Sequence, residues 1–191
     1  MKTFLNLSIC LLLLITIGSE AKECDWRLNF DGIGPLKIGM THDEAEDAIG
    51  MPLDIVGRAI DEYSLYEPRN CPDSFQVLIW AEGSMRVAVI FAGKIATIDG
   101  LRVGDSEENI NNLRNAHPDR FFLRTPREAG SDRTESHQYL HTAVPFVFEN
   151  GAFQNKWKYE INYLTMNGKI VEIRAGLSPD AGYEDIGASF R

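Results

Sequence analysis

Two short sequence patterns occur twice in the chain, in the same order, and this internal repeat constrains the fold more than any single motif does. Residues 36–41 (LKIGMT) resemble residues 101–106 (LRVGDS), and residues 93–98 (GKIATI) resemble residues 168–173 (GKIVEI). One such match can arise by chance, whereas two in the same order favour a duplication. The sequence therefore predicts two tandem repeats, residues 22–98 and residues 99–191.

Each predicted repeat begins with a short helix. In the first, Thr41 and Glu44 have the T-x-x-E spacing of a capping box, and Gly50 is typical of a helix end. In the second, Ser106 is the corresponding cap and Pro118 follows the end of the helix. Their apolar stripes are short, so we expect each helix to pack against another element.

After each helix, the sequence predicts β-strands with a buried face. They are expected at residues 75–80, 85–91, 95–98, 139–148, 155–166 and 169–174. Asn167 and Gly168, between the last two, are a strong hairpin signal. We therefore expect an α+β fold of two tandem repeats, each a short capped helical segment packed on an antiparallel sheet.

The turn before the first helix is close to a phosphate-binding loop in sequence. From Gly34 the chain reads G-x-x-x-x-G-Met-Thr, but Met40 occupies the position of the lysine that contacts phosphates. Gly39 and Gly104 instead stand where the chain turns into a capped helix, and glycine tolerates the backbone angles that such a turn requires. We interpret this segment as a structural turn and not as a nucleotide site.

The N-terminal segment predicts export. Lys2 precedes a mostly apolar run, and small residues around Ala21 are typical of a cleavage site, so residues 1–21 are interpreted as a signal peptide. An uncleaved anchor is the alternative. The later sequence has no run of the roughly 20 apolar residues that a membrane span needs. We expect a periplasmic or secreted protein with no stable membrane span after cleavage.

The cysteines indicate a disulfide. Cys10 lies in the predicted signal peptide, which leaves Cys24 and Cys71, and an oxidising compartment favours a bond between them. Two free thiols and a shared metal ion are the alternatives. The net charge of −9 disfavours nucleic acid and anionic membranes as partners. It either serves solubility alone or attracts a basic partner.

Catalytic and cofactor motifs are absent from the sequence. No G-x-S-x-G, H-E-x-x-H or C-x-x-C pattern occurs, so we expect no enzymatic activity and no cofactor. His137 and His141, with Glu135 nearby, share one side of a strand if that segment is extended, and metal ligation there is the alternative to ordinary surface or core-edge histidines. The acids at Asp61, Glu62 and residues 43–47 are interpreted as solvated charges.

Aromatic side chains are the candidate partner-binding residues. In residues 156–163 (KWKYEINY), Trp157, Tyr159 and Tyr163 alternate with polar residues and share one strand face, and Tyr139 lies on a neighbouring strand. These rings either belong to the core under a helix or form an exposed platform for a partner, since tyrosine and tryptophan are favoured in binding hot spots. The platform is the most specific binding hypothesis that the sequence offers.

Residues 36–52 (LKIGMTHDEAEDAIGMP) resemble the [IL]-x-x-G-M-T-x-x-x-V-x-x-x-L-G-x-P helix signature of the SmpA/OmlA (BamE-like) outer-membrane assembly lipoproteins. The doubled layout is similar to that of the secreted β-lactamase inhibitory proteins. The resemblance implies helices packed on an antiparallel sheet, a periplasmic or secreted setting, and binding to proteins rather than catalysis.

The sequence thus favours a non-catalytic protein-binding module, such as an inhibitor, an immunity protein or an envelope-assembly accessory protein. Its expected partner is another envelope or secreted protein, bound through the sheet face and the groove between the repeats. A small secreted hydrolase, a metal-dependent enzyme or a small-ligand carrier is the alternative.

Overall fold

The structure is a computed structural model that describes residues 24–59, 63–80, 86–124, 136–143, 147–149, 152–154 and 159–177. The predicted signal peptide and Trp157 lie outside these residues, as do Asp61, Glu62 and Glu135. The described elements are β1 (Arg27–Asn29), β2 (Gly32–Ile33), β3 (Leu36–Lys37), α1 (His42–Ile49), β4 (Leu53–Ala59), β5 (Tyr63–Pro68), β6 (Phe75–Trp80), β7 (Arg86–Ala92), β8 (Ala96–Thr97), α2 (Glu107–Ala116), β9 (Phe121–Arg124), β10 (Ser136–Thr142), β11 (Val147–Glu149), β12 (Ala152–Gln154), β13 (Tyr159–Met166) and β14 (Lys169–Leu177).

The described part of the chain is mostly β, and the predicted α+β fold of helices on separate sheets is wrong. Eight antiparallel strands form one large sheet in the order β4-β5-β6-β7-β14-β13-β10-β9. A small sheet has the order β3-β2-β1-β8, and β11 pairs with β12. The helices have only 8 and 10 residues and bury Ala45, Ile49 and Ile110. Because elements this short cover little apolar area, the small sheet supplies much of the remaining cover.

The large sheet is assembled from four strands of each half of the chain. β4 to β7 lie in sequence order on one side, and β14, β13, β10 and β9 follow in reverse order on the other. The junction is the antiparallel pair of β7 and β14, which places Ile90 opposite Ala175 and Phe91 opposite Arg174. The two halves therefore share one sheet, while the division at residues 22–98 and 99–191 stays a prediction.

The first repeated pattern has the same structural role in both halves. Gly39 and Gly104 have φ angles of 92° and 95°. The Gly39 N–H donates to the Val87 carbonyl at 2.8 Å, and the Gly104 N–H donates to the Ile170 carbonyl at 2.8 Å. In each case the strand residue donates back to the residue after the glycine. The segment is a turn that closes on a strand of the large sheet.

The second repeated pattern does not share a role. Gly93 follows the end of β7 and leads to β8, whereas Gly168 lies in the β13–β14 turn, where Asn167 and Gly168 have φ angles of 52° and 74°. The strand residue that corresponds to Ile170 by hydrogen bonding is Val87. The predicted match between residues 93–98 and 168–173 is therefore wrong as a structural equivalence, and the hairpin at Asn167 is confirmed.

Capping of both helices follows the prediction. The Thr41 hydroxyl accepts from the Glu44 N–H at 3.2 Å, and the Glu44 carboxylate accepts from the Thr41 N–H at 2.8 Å. Gly50 ends α1 with a φ angle of 69°, and the Ser106 side chain accepts from the Glu108 N–H. No helix among the described residues is both long and apolar enough to cross a bilayer.

One apolar core joins the two halves, and the disulfide lies beside it. Both helices, the small sheet and one face of the large sheet contribute to this core, with Leu28, Ile49, Ile79, Ile110 and Ile173 among its buried members. The predicted disulfide is confirmed: Cys24 and Cys71 are bonded, with their Cα atoms 6.2 Å apart and 47 positions apart in sequence. The bond ties the segment before β1 to the turn after β5 and is typical of oxidising compartments.

Replacing either turn glycine with alanine is expected to destabilise the fold by about 1–2 kcal/mol, because each has a left-handed φ angle that strains an L residue. A Cβ at Gly39 or Gly104 meets no atom within 4 Å, so the cost is conformational and not steric. Denaturant unfolding of Gly39→Ala and Gly104→Ala measures it. Gly57→Ala is the control, since its φ angle is not positive and its Cβ makes ordinary contacts at 3.7 Å; an equal loss there contradicts the assignment.

Removing the disulfide in the Cys24→Ser, Cys71→Ser double variant is expected to lower the free energy of unfolding by about 4 kcal/mol, on the chain-entropy model for a loop of this length. Urea unfolding of the oxidised protein and of the double variant gives the difference. Adding reductant is expected to bring the wild-type protein to the variant's stability and to leave the variant unchanged. A variant as stable as the oxidised protein would show that the bond does not constrain the unfolded chain.

Candidate functional site

The two faces of the large sheet have different surroundings. We call the face that carries both helices and the small sheet the inner face, and the opposite one the outer face. Side chains alternate between the faces along each strand. Phe75, Val77 and Ile79 of β6 belong to the main core on the inner face, whereas Leu78 belongs to a second apolar cluster on the outer face.

The second cluster is an aromatic surface built from three neighbouring strands of the first half. We call it the outer patch, and its half-buried members are Tyr63, Leu65, Trp80 and Phe91. They pack around three buried residues, Leu78, Ala88 and Val89. Among the described residues, β5, β6 and β7 supply every member of this cluster.

Cross-strand pairing fixes the geometry of the outer patch. Tyr63 and Trp80 are direct partners in the β5–β6 ladder, and their rings lie nearly parallel at 14°, with centroids 6.1 Å apart. Leu65 pairs with Leu78 in the same ladder, and Leu78 pairs with Val89 across to β7. Pairs of this kind stabilise a sheet and hold the side chains in one orientation. The patch is therefore a preformed surface.

Across the β7–β14 junction, the outer face carries polar side chains on β14 and β13. Arg174 of β14 lies opposite Phe91 and, on its other side, opposite Asn162 of β13. The Arg174 Nε atom is 3.9 Å from a Glu172 carboxylate oxygen. Asn162 and Glu160 are 7% and 4% exposed. The strand next to the outer patch therefore adds charged side chains to this face, while Leu140 and Phe122 lie on the same face farther from the junction.

The predicted aromatic platform lies on the inner face. Tyr139 and Tyr163 are 3% and 0% exposed, and Tyr159 is half-buried and packs on the same core. The exposed-platform interpretation is wrong for Tyr139 and Tyr163, because α2 and the small sheet cover their face. Alternation correctly groups Tyr159 with Tyr163, but the shared face is the one that meets the core. Trp157 is outside the described residues.

Polar contacts join Tyr139 and His137 to α2. The Tyr139 hydroxyl donates to the Glu107 carboxylate and lies 3.5 Å from the Asn111 side-chain oxygen. His137 Nδ1 is 2.7 Å from the same Glu107 oxygen. Burial, together with the adjacent Glu107 carboxylate, raises the pKa of Tyr139 to about 12. These contacts fasten the helix to the sheet.

The second histidine has a separate acidic neighbour. His141 is 5% exposed, and its ring stacks on Phe121 with centroids 4.0 Å apart. Its Nδ1 atom lies 3.0 Å from the Asp99 Oδ2 atom, without the geometry of a hydrogen bond. The Tyr163 hydroxyl is 3.5 Å from the same Asp99 oxygen. Burial, followed by the Asp99 charge, raises the pKa of Tyr163 well above its ordinary value.

The two histidines therefore share a side of β10, as predicted, without forming a common site. His137 contacts Glu107 and His141 contacts Asp99. Within the described ranges, no three histidine, cysteine or acidic side chains lie close enough together to hold a metal ion. Both pairs connect β10 to elements that cover the inner face.

The sequence did not single out Tyr63, Trp80 and Phe91. A signal for them exists, because β6 and β7 have apolar residues at successive positions, as in residues 77–80 (VLIW) and 87–91 (VAVIF). Strands that are apolar on both sides either lie between two layers or present an apolar face to water or a partner.

A comparison of the chain with models of known protein families and with curated proteins finds no match.

Stability above the ordinary tyrosine pKa tests the environment of Tyr139. The pKa of Tyr139 is raised from about 10 in the unfolded chain to about 12 in the folded protein, so the native state holds the proton more tightly. The contribution of this group to the free energy of unfolding is therefore full below pH 10 and is lost as the pH rises to 12. The wild-type protein is expected to lose about 2–3 kcal/mol more over this interval than Tyr139→Phe. Urea unfolding at stepped pH measures this, and equal losses in the two proteins contradict the assignment.

Proposed function

We propose that the protein is an exported, non-catalytic protein-binding module, and that the outer patch is the centre of its binding surface. The observation that carries the proposal is the parallel pair of Tyr63 and Trp80, held on a buried apolar base on the sheet face that has no helix among the described residues. Ordered aromatic side chains give large contact areas at a low entropic cost, and they dominate binding hot spots.

The surroundings of the patch have the composition of a protein interface. Such interfaces have an apolar, aromatic centre and a polar rim that remains in contact with water. The outer patch supplies the centre, and Glu172 and Arg174 on the adjacent strand supply charged groups beside it. With a net charge of −9 on the chain, a partner with a basic surface would associate faster than an acidic one.

The sequence supports export and protein binding on separate grounds. The leader-like residues 1–21 favour a periplasmic or secreted location, and the Cys24–Cys71 disulfide is consistent with it. The resemblance of residues 36–52 to the BamE-like signature favours an inhibitor, an immunity protein or an envelope-assembly accessory protein, each of which acts by binding another protein.

Truncation of Trp80 tests the proposal. The full chain is produced in a secreting host, the exported form is used to isolate a partner from an envelope extract, and the affinity for the purified partner is then measured by calorimetry. Trp80→Ala is expected to weaken binding by about 2 kcal/mol or more, as for a hot-spot residue, and Trp80→Phe by less. Unfolding midpoints of both variants show whether the fold is retained.

Ile98→Ala is the matched control, because Ile98 is 39% exposed and follows β8 of the small sheet, away from the outer patch. This variant is expected to bind as the wild-type protein does. Full affinity in a folded Trp80→Ala variant, or an equal loss in Ile98→Ala, would remove the outer patch as the binding surface. Failure to isolate a stoichiometric partner would contradict the binding function itself.

A further inference from the structure

A cavity of about 330 Å³ lies beside the disulfide. It opens between the segment that leads into β1, the turn at residues 70–74, the segment that leads into β8, and Arg102. Its volume is within the range of small-molecule sites in proteins. Neither the outer patch nor the paired histidines contribute to it.

One part of the cavity lining is apolar and held in place. The disulfide, Trp26, Pro72 and Ile95 line it. Trp26 contacts the Phe75 ring, with centroids 6.1 Å apart, and a Cβ at Gly34 would come within 2.7 Å of the Trp26 ring. The absence of a side chain at Gly34 therefore lets the indole pack directly on the backbone. Ile95 is 5% exposed and belongs to the main core.

Three cationic side chains also line the cavity, in a chain whose overall charge is negative. They are Arg27, Lys94 and Arg102. Lys94 is 2.9 Å from the Asp73 carboxylate, which balances its charge. In the part of the chain that the structure describes, Arg27 and Arg102 have no carboxylate within ion-pair distance. Two guanidinium groups are thus available to an anion at the cavity.

Arg102 is oriented before any ligand arrives. Its Nη1 atom donates to the Lys94 carbonyl at 2.6 Å, which anchors one edge of the guanidinium to the backbone beside the cavity. The remaining N–H groups of a guanidinium match the two oxygens of a carboxylate. Asp25 also lines the cavity, and its negative charge disfavours an anion with more than one charge.

We propose that this cavity binds an organic monocarboxylate with an apolar body, the carboxylate at Arg27 and Arg102 and the apolar part against Trp26 and the disulfide. Either a free small molecule or the C-terminus of a polypeptide supplies this chemistry. The site is independent of the outer patch, so it stands or falls separately from the proposed function. The site requires the disulfide between Cys24 and Cys71, because this bond forms one wall of the cavity.

Isotope-edited NMR titration of the exported protein tests the site with matched probes. Phenylacetate is compared with phenylacetamide, which keeps the apolar body and loses the charge, and with inorganic phosphate. A short peptide with a free C-terminus is compared with its amidated form. The carboxylate probes are expected to shift the amide signals of residues 24–27, 70, 71, 74, 94–96 and 102. Phenylacetamide, the amidated peptide and phosphate are expected to leave these signals unchanged.

Variants of Arg102 test whether its guanidinium binds the carboxylate. Arg102→Ala is expected to weaken binding of the carboxylate about tenfold, and Arg102→Lys by less, because one charge-assisted hydrogen-bonding group is lost or replaced. Arg120→Ala removes an exposed arginine outside the cavity and is expected to bind as the wild-type protein does. Raising the salt concentration is expected to weaken binding to the wild-type protein more than to Arg102→Ala.

The titrations distinguish a small-molecule ligand from a polypeptide C-terminus and can contradict the proposed site. Tighter binding of the peptide than of phenylacetate supports a polypeptide C-terminus as the ligand, and the reverse order supports a small molecule. Equal shifts with the amides, equal shifts with phosphate, equal losses in Arg102→Ala and Arg120→Ala, or no shift at millimolar probe each contradict a carboxylate site.

Discussion

The pairing of β7 with β14 is the interaction on which the rest of the structure depends. It is the one ladder of the described large sheet in which a strand of the first half meets a strand of the second. Because side chains alternate across a sheet, its register assigns the residues of both halves to faces at once. Ile90 and Ala175 enter the common core, while Phe91 and Arg174 meet on the outer face.

A single sheet of this kind needs cover on one face, and the short helices do not provide all of it. The small sheet completes the inner layer, and polar side chains of the covering elements contact the strands. Glu107 of α2 binds Tyr139, and Asp99, after β8, lies against His141. The first residue of α1, His42, likewise packs on Tyr66, with ring centroids 4.9 Å apart. Each helix thus begins against a tyrosine of the sheet.

Local sequence signals predicted the turns and caps well, because these depend on residues close together in the chain. Gly39, Gly104 and the Thr41–Glu44 capping box need no distant contact to be recognised. β4 was not predicted: residues 53–59 (LDIVGRA) lack a clear alternation, and the β4–β5 register shifts between Ile55 and Gly57. The match between the two G-K-I segments was wrong as a structural equivalence. Residues 93–95 follow the end of β7, whereas residues 168–170 lie at the start of β14.

The candidate site was less predictable than the fold elements. Alternation identifies which side chains of a strand share a face, but it contains no information about what covers that face. Tyr159 and Tyr163 were grouped correctly and proved to be on the core side, whereas Tyr63 and Trp80 became neighbours only through the β5–β6 ladder. The acids that meet His137 and His141 likewise come from separate elements, α2 and the segment after β8.

By itself, the sequence determined the repeated glycine turns, the helix caps, the β13–β14 hairpin and the pair of cysteines available for a bond, since each rests on residue type and short spacing. Only the tertiary structure decided that the two halves share one sheet, which face is covered, and that Arg27 and Arg102 line one cavity beside the disulfide. These features depend on strand order and register, which are set by contacts between residues far apart in the chain.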